Sequence, residues 1–123
     1  MKILLIIGIG SFFGGMFRYL LSLFMISKWP GNFPIGTLIV NITGCLLIGI
    51  LLGINSKINL STELKLFLST GLLGGFTTFS AFSVETITLM RNGQTGNAIL
   101  YISCSIILGL AATFLGLLIT RIF

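Results

Sequence analysis

Histidine is absent from this sequence, and the acidic residues number only two, Glu63 and Glu85. The commonest metal ligand and general base is therefore missing, and no Ser–His or Cys–His nucleophile pair can be assembled. Charged residues make up 7% of the chain, against about 25% in soluble domains, so a cytosolic globular fold does not fit. Proline occurs twice, at Pro30 and Pro34 in one short loop. Cysteine also occurs twice, and Cys45 and Cys104 lie inside apolar runs, where a thiol behaves as a small hydrophobe. The formal charge of +5 raises a nucleic-acid partner, but seven Lys and Arg scattered between apolar runs form no basic stripe or tail.

What the chain does have is apolar length. Of its 123 residues 55% are hydrophobic, mean hydropathy is +1.16, and glycine, common in membrane helices, occurs 16 times. About 20 apolar residues span a bilayer, and four such runs occur, at about residues 3–26, 36–54, 64–90 and 98–120. The first continues past the length of a signal-peptide core and shows no cleavage site, which predicts a retained helix. The expectation is a single four-helix domain of an all-α integral membrane protein, its third helix broken near mid-bilayer at about residues 74–80.

The break is read from Gly74-Gly75-Phe76-Thr77-Thr78-Phe79-Ser80-Ala81-Phe82-Ser83. Paired glycines weaken a helix, and the threonines and serines can bond freed backbone groups. Lipid tolerates irregular backbone only where protein or a water-filled cavity covers it. Carbonyls freed near Gly74 and Thr77 suit a hard cation such as Na⁺. Phe79 and Phe82, three apart, share a face, and their positive ring edges suit an anion path; the plainer alternative is lipid-facing or core filler.

Polar groups at membrane depth occur on every span. Arg18 is either a snorkelling side chain or an anchor under a water-filled vestibule. Thr37, Asn41 and Cys45 recur at four-residue spacing, as do Tyr101, Ser105, Gly109 and Thr113. For Asn41 an interhelical hydrogen bond and a donor lining a polar pathway stand as equals. Gly10/Gly14 and Gly49/Gly53 read as close-packing pairs. Arg18 and Glu85 are the only ionisable candidates at depth, with no nucleophile–base pair or metal cluster, so an enzyme is not expected.

Four spans place both termini on one side. Lys2, Lys57, Lys65 and Arg121 then face one compartment, and Lys28 and Arg91 the other. Four against two is a weak positive-inside bias, which permits insertion in both orientations.

Gly14-Gly15-x-x-Arg18-Tyr19, Phe33-Pro34-x-Gly36-Thr37-Leu38-x-Val40-Asn41 and the Gly74–Ser83 stretch together resemble the signature blocks of the CrcB/Fluc fluoride channels. The likeness covers the first three helices in order. It implies an antiparallel, dual-topology homodimer in a prokaryotic plasma membrane, passing fluoride passively and selectively through two pores at the dimer interface. It implies that Asn41 donates to fluoride, that Phe79 and Phe82 present ring edges, and that Arg18 lies at the vestibule. Thr37, Glu85, Tyr101 and Ser105 match the family's polar track. The carbonyls of Gly74 and Thr77 from both subunits would hold a structural Na⁺. A further serine expected one turn after Ser105 is Gly109, leaving Thr113 or water in its place. The competing reading is a small multidrug-type proton-coupled transporter, against which the first helix carries Arg18 and no acidic residue. A packing subunit of a larger complex would explain the glycines but not four polar faces.

Overall fold

A computed structural model describes residues Met1–Phe123 and is entirely helical outside short connections. In chain order the elements are α1 (Lys2–Lys28), α2 (Ile35–Ile58), α3 (Thr62–Leu66), a π-helical stretch (Phe67–Leu73), α4 (Gly74–Phe76), α5 (Phe79–Arg91) and α6 (Thr95–Ile122). Four segments are long and apolar enough to cross a membrane: α1, α2, Thr62–Arg91 as a whole, and α6. The chain is a multi-pass membrane protein.

The helix ends follow local chemistry. Asn59 closes α2 in the left-handed region (φ 46), which an asparagine tolerates better than most residues. Ser61 caps α3, its Oγ accepting from Leu64 N at 3.3 Å. Thr78 caps α5, its Oγ1 accepting from Ala81 N at 3.2 Å. Helix α6 begins at Thr95, inside the polar stretch that reads as a turn, and only Asn92–Gln94 connect it to α5.

Two tight seams hold the bundle. In one, α1 lies against the π-helical stretch and α4. A Cβ on Gly10 would stand 2.9 Å from Gly71 Cα, and one on Gly75 would stand 2.6 Å from Ser11 O. In the other, α2 lies against α6, where a Cβ on Gly116 would stand 2.8 Å from Ile50 N. Lipid gives no hydrophobic drive to helix association, so such backbone-to-backbone approach supplies the dispersion contact that holds these helices together. Helix α5 rests on α6 through a small core of Leu38, Leu89, Ala98 and Tyr101, flanked by Phe33 and Phe82.

Both ends of the bundle are basic, with the Lys and Arg residues unevenly divided between them. Lys2 pairs with Glu63 at 3.3 Å, and Lys57 lines a cavity with Phe123, so both chain ends and Lys65 sit together. At the opposite end the Trp29–Phe33 loop and Gln94 share another cavity, next to Lys28 and Arg91. Large apolar side chains such as Phe12, Ile107 and Phe114 are exposed along the helices, as expected where lipid is the solvent.

Candidate functional site

Between α4 and α5 the backbone leaves the helix for two residues. Thr77 and Thr78 are extended, with ψ of 156 and 120. The glycine pair is not where helicity stops: Gly74 and Gly75 are helical, and Gly75 instead admits α1. Just upstream, seven π-helical residues run longer than the single-turn bulge usual for that conformation, which recurs at functional sites.

The extended pair redirects two hydrogen bonds. In a continuous helix the Thr78 N–H would donate to the Gly74 carbonyl, but it donates to Asn41 Oδ1 at 2.9 Å. The Ala81 N–H, whose helical acceptor would be the Thr77 carbonyl, donates to Thr78 Oγ1. Gly74 and Thr77 thus each lose their helical donor. Two hard oxygen donors relieved of partners form a set that fits a hard monovalent cation; one chain offers too few oxygens to complete a coordination shell.

Asn41 completes the geometry from α2. Besides accepting from Thr78 N, its Nδ2 donates to Thr78 O at 3.0 Å. Of the readings open at Asn41, the interhelical bond is present, and one of the two Nδ2 hydrogens is still available.

The site residues singled out by sequence line two cavities that meet at Thr78, except Tyr101, which is fully buried and lines neither. One, of about 430 Å³, is lined by Asn41, Cys45, Gly74, Thr77, Phe79, Phe82 and Ser105 among others. The second, about 560 Å³, is lined by Arg18, Thr37, Ser80 and Glu85 among others. Thr78 lines both. The Phe79 and Phe82 rings lie 5.5 Å apart at 43°, and Phe79 is 78% exposed. Phe82 continues to Tyr101 at 5.1 Å, and Tyr101 is fully buried.

Glu85 joins three helices. Its Oε1 accepts from Thr37 Oγ1 on α2 and its Oε2 from the Tyr101 hydroxyl on α6, each at 2.7 Å. Both carboxyl oxygens are engaged, the arrangement a carboxyl at membrane depth requires. Arg18 makes no ion pair there, and the one salt bridge in the chain is Lys2–Glu63. Ser105 Oγ is buried without a hydrogen-bond partner. That leaves a hydroxyl open to whatever enters the first cavity.

Comparison with known proteins decides the family. The model described as CrcB-like protein, Camphor Resistance (CrcB), matches residues 5–117. The chain belongs to the CrcB family. Among its relatives, the Fluoride-specific ion channel FluC of Rhizobium meliloti is 45% identical over 122 residues, covering 98% of each chain. The protein of that name from Flavobacterium psychrophilum is 48% identical over 122 residues, again 98% of each. The one from Azobacteroides pseudotrichonymphae is 40% identical over 124 residues, covering 100% of this chain and 99% of its own. With bacterial relatives and four membrane-capable helices, this CrcB-family chain is a multi-pass protein of the plasma membrane.

Gly109 stands where the resemblance led to an expected serine, and the structure shows what occupies the space. Gly109 is buried, and a Cβ on it would stand 3.4 Å from Cys45 Sγ, so the thiol occupies that neighbourhood. The Thr113 hydroxyl donates to the Gly109 carbonyl at 3.2 Å on its own helix. Sequence reasoning missed the Thr78 backbone as the partner of Asn41. No periodicity signals a side chain pairing with main chain 37 positions away.

Proposed function

We propose that this chain is the subunit of a fluoride-selective channel, two copies inserted antiparallel and passing fluoride out of the cell by passive electrodiffusion through two pores. Its relatives are named fluoride-specific ion channels, and they are channels rather than enzymes. The observation that carries the reading is the first cavity. There an amide hydrogen of Asn41, the Phe79 and Phe82 rings and the unpartnered Ser105 hydroxyl come together with no charged side chain among the lining residues.

Fluoride is small and strongly hydrated, so a conduit must replace water without holding the ion too tightly. A lysine ring would trap it; amide and hydroxyl donors with positive ring edges offer graded, neutral solvation. In this reading the ion passes between Arg18 at a vestibule and the track of Thr37, Glu85, Tyr101 and Ser105. A negative-inside potential drives the anion outward at about 2.3 kcal/mol per charge per 100 mV.

The third membrane segment is then a broken helix at mid-depth, covered by the second subunit. The Gly74 and Thr77 carbonyls of both subunits hold a Na⁺ at the interface, whose chemistry is to neutralise facing carbonyl dipoles. The exposure of Phe79 and Gly74 supports a covering partner, since an isolated chain would leave freed backbone groups to lipid. Family membership leaves the drug-transporter reading without support.

The test is fluoride efflux from liposomes holding the purified protein, read with a selective electrode while a potassium ionophore balances charge. Rapid efflux of fluoride with chloride retained is expected. Silence from an intact dimer, or chloride passing as readily, refutes the reading.

A further inference from the structure

Asn41 bonds twice to one residue, taking the N–H of Thr78 on Oδ1 and giving Nδ2 to its carbonyl. This is the reciprocal pairing a neighbouring β-strand would make, supplied by a single side chain. We propose that Asn41 is a positioning residue that keeps the Gly74 carbonyl available to a cation, and so links the cation site to the anion path. The proposal rests on the reading given under Proposed function.

The argument is one of competing hydrogen bonds. Extended backbone at Thr77 and Thr78 inside an apolar span leaves polar groups that must be satisfied within the protein. The nearest chemical alternative for the Thr78 N–H is the Gly74 carbonyl four residues back, which would close one more helical turn. Closing that turn gives Gly74 O a permanent donor and withdraws it from cation coordination. Asn41 Oδ1 prevents this by holding the N–H at 2.9 Å, and Nδ2 secures the Thr78 carbonyl. A carboxamide has two N–H groups, and one is not spent on Thr78. Asn41 lines the same cavity as Phe79 and Ser105, where that second N–H is the amide donor of the anion path. One atom of Asn41 therefore serves the carbonyl side and another the anion side.

Two substitutions separate these roles. Asn41→Ala removes both. Asn41→Asp keeps an acceptor oxygen for the Thr78 N–H, the bond on which the Gly74 carbonyl depends, and removes both the donor to the Thr78 carbonyl and the second N–H. Detergent-solubilised protein is titrated with NaCl against N-methyl-D-glucamine chloride at constant ionic strength, and thermal unfolding is followed by Trp29 fluorescence. Fluoride efflux is measured in parallel.

Wild-type protein is expected to gain thermal stability saturably with Na⁺. For Asn41→Ala the apparent Na⁺ affinity falls about tenfold, the worth of the lost Thr78 N–H bond that frees Gly74 O. Asn41→Asp retains the Na⁺ response while fluoride efflux falls. An Asn41→Ala protein answering Na⁺ as wild type does overturns the proposal, and so does loss of the response in Asn41→Asp. If Asn41→Ala does not fold, the Asp variant alone decides. A wild-type protein indifferent to Na⁺ removes the cation reading itself, a separate result because that arm is read first.

Discussion

Tyr101 and Glu85 are joined by a 2.7 Å hydrogen bond between a fully buried phenol and a carboxyl that also accepts from Thr37. The phenol ring is itself fixed, edge-on to Phe33 at 5.7 Å and tilted on Phe82 at 5.1 Å. Tyr101→Phe therefore removes a donor and little else. Neutral interhelical bonds in membranes average about 0.6 kcal/mol, whereas bonds to a charged partner reach about 1.5–3 kcal/mol. A loss of about 1–2 kcal/mol is expected from Tyr101→Phe in detergent unfolding. In a double-mutant cycle with Glu85→Gln, the coupling should exceed about 0.5 kcal/mol. Strict additivity would mean that the two groups do not act as a unit.

Phe79 and Phe82 present opposite situations although three residues apart. Phe82 is packed against Tyr101, but Phe79 is 78% exposed within this chain. Replacing Phe79 by Ile keeps apolar volume and removes the aromatic quadrupole. Fluoride efflux should fall at least about tenfold, the equivalent of about 1.4 kcal/mol in the barrier, with the proposed dimer intact by light scattering. Phe82→Ile should lower efflux and also thermal stability, because it takes away a ring from the small core. Unchanged efflux in Phe79→Ile would remove ring edges from the anion path.

The architecture was legible in the sequence because membrane helices announce themselves by length and hydropathy, and G-x-x-x-G spacing announces close approach. Gly10 and Gly14 are indeed among the residues of α1 that meet the π-helical stretch and α4. The π-helical conformation of Phe67–Leu73 was not legible, since Ser69, Thr70 and Gly71 lower helix propensity without specifying a π register. The extended pair falls inside the expected 74–80 window, but at its threonines rather than its glycines. Glycine pairs signal weakness, but Gly75 is needed for close packing, and the helix gives way at two β-branched residues whose hydroxyls and main chain find other partners. The residues of the site could be named from pattern and resemblance, whereas their hydrogen-bond partners are a property of the fold.

The glycine seams give a contrast in which chemistry is constant and environment differs. A Cβ on Gly14 would meet Phe76 N at 2.9 Å and press on the Leu72 backbone, neither of which can yield as a flexible side chain does. Gly14→Ala should destabilise by about 1–3 kcal/mol through overpacking. Gly8, earlier on the same helix, has nothing within 4 Å of its Cβ position. There Ala should be neutral or stabilising by up to about 1 kcal/mol through helix propensity. Thermal unfolding of the two variants side by side checks this, and equal effects would mean that the α1 seam is not close-packed.

Orientation offers the sharpest test of the proposed antiparallel pair. Lys2, Lys57, Lys65 and Arg121 belong to one end of the bundle and Lys28 and Arg91 to the other, so the second end needs only two substitutions to become uncharged. Neither Lys28 nor Arg91 lines the two cavities of the site, so replacing both with Gln leaves the path itself untouched. The positive-inside rule then commits every chain to cytoplasmic termini. An N-terminal tag reachable from both faces of the membrane in the wild type should become reachable from one. Fluoride efflux should fall with it, because chains of one orientation cannot form the antiparallel pair. Efflux should return when this variant is co-expressed with one whose bias is reversed, by Lys57→Gln and Lys65→Gln together with added lysines in the Trp29–Phe33 loop. Undiminished efflux from a population of uniform orientation would show that the conducting unit does not need opposed subunits.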